Sequence, residues 1–303
     1  INYSWNRADA HIISMRNMQW WDGASWDHYN DPMFTNEQYE WLKQDLQYVP
    51  KDKMVILCVH CSVWNSTKLN VQNVLKLLAQ FKEAHIMSGH HHRITNHPTK
   101  SKGNGKDIYE HNHGAVCGHF WKSNFNADGA PNGYGVYEFD GATLKDYWFK
   151  GTGVDKDVQM RCYKGGEEIY DPRMNVNMTA KKNIFPSYSW GLKDHIVANI
   201  WNIELGEWEV TLWQNGQKVC EMTNFRDYDY YALYWFCEVY GSSSTSYQHK
   251  SHHLYYGKLK DPNAPFEVRA VDRRGVRGPY TCSEVTTNYD GLNGDFETYV
   301  PTK

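Results

Sequence analysis

Apolar and polar residues follow two different rhythms along this chain. In the first half, short continuous apolar runs alternate with stretches of helical spacing. Ala10–Met15, AHIISM, reads as a short strand. Thr35-Asn36-Glu37-Gln38 then has the form of a capping box, in which the Thr35 hydroxyl takes a backbone N–H and Gln38 reaches back. Tyr39, Leu42, Leu46 and Val49 recur at helical spacing until Pro50 stops the helix. Met54–Val59, MVILCV, is a continuous apolar run bounded by turn residues, as expected of a parallel strand buried on both faces. Val71, Val74, Leu75, Leu78 and Phe81 predict a second amphipathic helix, and His85–Ser88 a third strand ending at Gly89. The order β-α-β-α-β predicts an α/β sheet, parallel or mixed, with helices layered on it.

From about Thr152 the rhythm changes. WEVTLWQNGQKVCEM alternates around Asn215-Gly216, a hairpin signal, and FEVRAVDRRGVRG is a strand with a turn after it. Short alternating strands without helical periodicity predict an all-β sandwich. The boundary is expected in Gly151–Val154, giving an α/β domain over 1–151 and a β-sandwich over 152–303.

Composition narrows the function classes. With 41% hydrophobic and 22% charged residues the chain is globular, and a formal net charge of -3 supplies no broad basic field for nucleic acid. No stretch is long and apolar enough to span a membrane. The opening INYSWN has neither an initiator Met nor a signal-type apolar region, so the start says nothing about compartment.

Thirteen Trp and 22 Tyr serve either aromatic cores or sugar platforms. Trp190, Trp201, Trp208, Trp213 and Trp235 read first as inward-facing core, with a carbohydrate platform as the alternative. Seven irregularly spaced cysteines give no disulfide framework. Cys58-Val59-His60-Cys61 matches C-x-x-C, but Cys58 lies inside an apolar strand and reads as a small core hydrophobe. Asp22, Asp27, Asp31 and Asp128 read as solvated turn residues, and His252 and His253 as members of a sandwich strand.

Candidate chemistry centres on Ser88-Gly89-His90-His91-His92-Arg93. In a sheet of this kind functional groups collect beyond the carboxyl ends of the strands. His60 stands just past one such end and the triplet past another. If the backbone stays extended after Gly89, His90 and His92 share a face and His91 points away. Two imidazoles there, with His60 from the neighbouring strand, can converge on a metal at about 2.0–2.1 Å. The alternative from spacing alone is a solvated turn with three exposed histidines.

WLKQDLQYVPKDKMVILCVHCSV, HIMSGHHHR and GAVCGHFWKSNFNADGAPNGYGVYEFDG together resemble the calcineurin-like metallophosphoesterase superfamily, in its bacterial type with an appended C-terminal β domain. HHLYYGKLKDPNAPFEVRAVDRRG is similar to that appended domain. In the family one strand ends in a ligating His and a later one in G-H-x-H. The resemblance therefore implies metal-ligand roles for His60, His90 and His92, with His91 a non-ligand. It also implies two divalent or trivalent ions of the Mn, Fe, Zn or Ni class, a phosphate-ester substrate and a periplasmic or extracellular location. The segment around Gly118–Trp121 is expected near the cleft, where His119 or Trp121 could touch substrate, although His111, His113 and His119 read first as strand and loop residues near the sheet edge. Ser62 stands where the family usually has Pro, and Arg16 where an acidic residue is common.

The remaining family ligands come from D-x-H, G-D-x-x-D and G-N-[HD] motifs. Asp9-Ala10-His11 has the letters of the first but precedes a strand; Gly294-Asp295 lacks the second Asp, and Gly103-Asn104 is followed by Gly105. The chain thus reads as the distal half of a catalytic domain plus an accessory β domain, expected to be inactive alone although its intact parent hydrolyses phosphate esters. The alternative is a non-catalytic module whose aromatic-rich sandwich binds glycan or a partner.

Overall fold

The apolar runs become neighbouring strands. In the computed structural model the residues described are 2–18, 32–100, 107–118, 123, 125–166, 192–230, 232, 249–273 and 277–285. The chain divides into two compact units that interleave in sequence. One comprises 1–91, 96–113 and 137–146; the other comprises 92–95, 114–136 and 147–303.

Six strands make the sheet of the first unit: β1 (Tyr3–Arg7), β2 (Ala10–Ser14), β3 (Met54–Cys61), β4 (Glu83–Gly89), β5 (Thr95–Lys100) and β6 (Asp107–Asn112), in the order β1-β2-β3-β4-β6-β5. β2, β3, β4 and β6 run parallel, and β1 is antiparallel to β2. The first four residues of β3 are fully buried, as a strand covered on both faces requires.

Helices α1 (Asn36–Asp45) and α2 (Val71–Leu78) pack on this sheet. The capping box forms: Gln38 N donates to Thr35 Oγ1 at 3.2 Å and Thr35 N to Gln38 Oε1 at 2.9 Å. Leu42 of α1 and Val74, Leu75 and Leu78 of α2 meet Val55, Leu57 and Ile86 of the sheet in one core. Each such side chain contributes about 1.5–3 kcal/mol by leaving water.

β1 and β5 have no counterpart in the sequence reading. β1 is mostly exposed and shows no apolar face. β5 contains Pro98 and ends the sheet, where a missing N–H costs no ladder bond.

β7 (Gly133–Asp140) and β8 (Thr143–Gly151) form a two-stranded ribbon, after which the sandwich of the second unit begins. One of its sheets has the order β13-β14-β10-β9, from Thr223–Asp227, Ser251–Lys258, His195–Ile200 and Met160–Lys164. The other has the order β12-β11-β15-β16, from Gln217–Glu221, Trp208–Gln214, Phe266–Asp272 and Tyr280–Cys282. Ile196, Ala198 and Tyr255 from the first sheet and Val210, Leu212, Val268 and Ala270 from the second share one core.

Asn215 and Gly216 join β11 to β12 with φ of 51° and 74°. Both central residues at positive φ match the twist of an antiparallel pair, which is why Asn-Gly suits this turn. Trp201 and Trp208 are 0% and 3% exposed, so both are core and neither is a sugar platform. Trp213 is half-buried beneath the Arg269 guanidinium, 4.1 Å from its ring. Trp190 and Trp235 lie outside the described residues, as do Asp22, Asp27 and Asp31.

Candidate metal centre

β3 and β4 bring His60 and His90 together. Their parallel register breaks between Cys58 and Cys61, and this irregularity leaves His60 exposed at the end of a strand that is otherwise interior. His60 Nε2 lies 3.0 Å from His90 Nδ1, with ring centroids 4.9 Å apart and planes at 67°. Adjacent nitrogens on one tetrahedral cation with ~2.0–2.1 Å bonds stand about 3.3 Å apart, close to this spacing. One ligand atom from each of His60, Cys61 and His90 lies within 4.8 Å of the other two. No Asp or Glu joins that group among the described residues.

The backbone does not stay extended after Gly89. His90 and His92 adopt φ of 72° and 50°, and His91 N–H turns back onto the Gly89 carbonyl at 2.9 Å. Strand alternation therefore does not set the directions of the three rings. The left-handed region is unfavourable for a side chain with a Cβ and is held here by surrounding bonds. His92 opens the 92–95 segment of the second unit and is not one of the three clustered ligands.

Three buried polar side chains, none evident from sequence, fix the two loops of the first unit that carry His60 and His90. Asn17, 0% exposed, accepts His60 N–H at 3.1 Å and Cys61 N–H at 3.0 Å on Oδ1 and donates to the Cys61 carbonyl at 2.7 Å. Glu110 Oε1 accepts from Val63 N at 3.0 Å and Ser88 Oγ at 2.8 Å, linking the segments that follow β3 and precede His90. Asn112 donates to the Gly89 carbonyl at 2.7 Å. Burial alone would raise the Glu110 carboxyl, but His97, Ser88 and Ser62 hold it below the usual value, so Glu110 is an anion in the interior.

The thiols of the C-x-x-C segment are not poised for exchange. Burial pushes the Cys61 thiol up to about 11 and raises that of Cys58. His111 is buried in β6, and His113 follows that strand with Nε2 2.7 Å from the Tyr137 hydroxyl. Desolvation lowers the His113 pKa despite the Ser88 carbonyl, favouring its neutral ring. His119 and Trp121 lie outside the described residues.

In the second unit, a different polar cluster surrounds Asp128, which is 0% exposed and no solvated turn residue. A carboxylate that accepts several N–H groups can remain ionised in the interior, so its loop setting was misleading. Asp128 accepts from Ile94 N at 2.6 Å, Ala130 N at 3.1 Å and His253 Nε2 at 3.1 Å. Asn199 donates to the Asp128 carbonyl at 2.9 Å and to Asp229 at 2.7 Å, which leaves its Oδ1 to face His253 Nδ1 at 2.6 Å. Both nitrogens of His253 thus face oxygen partners. Tyr163 donates to Asp229 at 2.7 Å, and a Cβ on Gly129, at φ +83°, would collide with the Asp229 carboxylate.

The donor set around His60 fits part of the coordination shell of one borderline cation. Among the described residues it offers no carboxylate to bridge two ions about 3.5–4 Å apart. No curated protein matches the chain. A model of the C-terminal domain of calcineurin-like phosphoesterases matches residues 110–277, a span that starts beyond the His60 and His90 loops and covers the Asp128 cluster.

Proposed function

As the chain belongs to the calcineurin-like phosphoesterases, we propose that it serves metal-dependent hydrolysis of phosphate esters, supplying His60 and His90 as metal ligands. The observation that carries this reading is the meeting of two strand-end imidazoles 3.0 Å apart, in loops tied down by Asn17, Glu110 and Asn112. A bound metal would polarise the phosphate and lower the pKa of a coordinated water.

The residues present do the preparatory work. Asn17 fixes the direction of the His60 backbone, and the Gly89 carbonyl is held by Asn112, so each ring leaves a rigid strand end. His92 is proposed as a metal ligand on the family pattern alone. His119 and Trp121 are proposed substrate contacts on the same basis. No carboxylate joins His60 and His90 among the described residues, so a further ligand is proposed to complete the site, and an exported location suits an enzyme of this type.

The test is hydrolysis of bis-p-nitrophenyl phosphate and p-nitrophenyl phosphate in Mn2+ or Zn2+. The 303-residue chain is expected to stay near the uncatalysed rate, whereas a longer protein bearing D-x-H, G-D-x-x-D and G-N-[HD] motifs turns over and loses activity on His60→Ala. Robust turnover by the 303 residues, or an active longer protein indifferent to His60→Ala, contradicts the proposal.

A further inference from the structure

The open edge of the sandwich carries a pair of thiols. β9 ends one sheet and β16 ends the other, these two strands lie side by side, and Cys162 of β9 bridges to Val285, three residues beyond β16. Cys162, in β9, is 0% exposed and sits in the core shared by the two sheets. Cys282, the last residue of β16, is half-buried and packs against that core. The two thiols influence each other electrostatically, and both are free.

We propose that Cys162 and Cys282 form a disulfide site, at which a low-molecular-weight disulfide crosslinks the two sheets at their shared open edge. The geometry gives the two sulfurs unequal roles. Cys282 reaches solvent, while Cys162 is shielded and can attack only a sulfur already held beside it. Their electrostatics agree: interaction with the Cys162 thiol brings the Cys282 thiol down to about 7 against the effect of burial, whereas desolvation pushes Cys162 well up. Near neutral pH, Cys282 is the thiolate and the nucleophile.

The exchange then runs in two displacements. The Cys282 thiolate attacks one sulfur of RS–SR, forming a mixed disulfide and expelling RS−. Cys162 loses its proton and attacks the Cys282 sulfur, releasing the second RS−. The two protons given up by the cysteines convert both RS− to RSH. Two protein thiols are oxidised and one external disulfide is reduced.

The sites are 120 positions apart in the chain (282 minus 162), so the bond would close a long loop, the case in which a crosslink most restricts the unfolded state. Such a bond persists in an oxidising compartment and is lost in a reducing one, so it links the sandwich's stability to location. The inference does not depend on the phosphoesterase reading.

The test oxidises the 303-residue chain with oxidised glutathione at pH 7.5 and maps its peptides without reduction. A crosslinked peptide containing residues 162 and 282, lighter by two hydrogens, is expected. The oxidised protein should melt higher than the reduced one by on the order of 10 °C. Cys282→Ser, a change at a half-buried strand end, should melt with the reduced wild type and show no shift on oxidation. Cys282 trapped as its glutathione adduct with Cys162 still free overturns the proposal, as does an oxidation shift that persists in Cys282→Ser.

Discussion

His253 and the pair His60–His90 show what separates a structural histidine from a candidate ligand. His253 sits in the interior with acceptors on both nitrogens, Asp128 on one side and Asn199 on the other. A metal would have to displace a buried, charge-assisted bond to reach it. His60 and His90 instead turn nitrogens toward each other at a strand end, where the ligand-capable group holds two imidazoles and a thiol. The first arrangement is internally satisfied; the second groups atoms that could hold a cation. Counting histidines in SGHHHR and SHHLYYG cannot distinguish them, because the difference lies in the partners.

The comparison breaks most sharply at Asp128. Replacing it with Ala leaves His253 and the Ile94 N–H buried without their acceptor, and should cost about 3–5 kcal/mol of stability in urea unfolding. A loss under ~1 kcal/mol would place this cluster outside the stabilising core.

Acid sharpens the same contrast. Burial would raise the Asp128 pKa, but His253 and the N–H groups of Ile94 and Ala130 hold it below the ordinary value. A depressed folded-state pKa means the stabilisation is complete above the unfolded carboxyl value of ~3.9 and disappears as pH falls through the folded one. Between pH 6 and 3, Asp128→Asn should therefore show a flatter stability curve than wild type; parallel curves would contradict this.

Smaller in free energy is Asn17→Ala, which removes the clamp on the His60 and Cys61 backbone while keeping the His60 and His90 side chains. Zn2+ affinity should fall ~10–100-fold, as for other outer-shell partners. Unchanged affinity, measured by calorimetry on a folded variant, would remove Asn17 from the site.

The smallest effect on folding belongs to the proposed ligands themselves. His60 is exposed, so His60→Ala should change metal-free stability by no more than ~0.5 kcal/mol. A loss comparable to that of Asp128→Ala would make His60 a structural residue after all.

Legibility in the sequence follows the range of the interactions. The Thr35 capping box, the apolar run of β3, the α2 stripe and the Asn215-Gly216 turn are local, and each forms where its residues predict. His60 and His90 were visible because strand ends are visible. Asn17 was not, since it acts on a backbone 44 positions away and no local pattern marks it. The left-handed turn at His90 and His92 was hidden for a related reason. Neither residue favours that conformation, so only neighbours distant in sequence can impose it. Asp128 looked like a loop residue because its acceptors' partners come from segments 34 and 125 positions away.

The most direct measurement is a calorimetric titration of the metal-free 303-residue chain with Zn2+, beside His91→Ala and the double variant His60→Ala/His90→Ala. A site present in wild type and His91→Ala, and weakened at least ~100-fold in the double variant, is the expected result. Zinc binding to the double variant with wild-type affinity would contradict the assignment of His60 and His90 as the metal-binding pair.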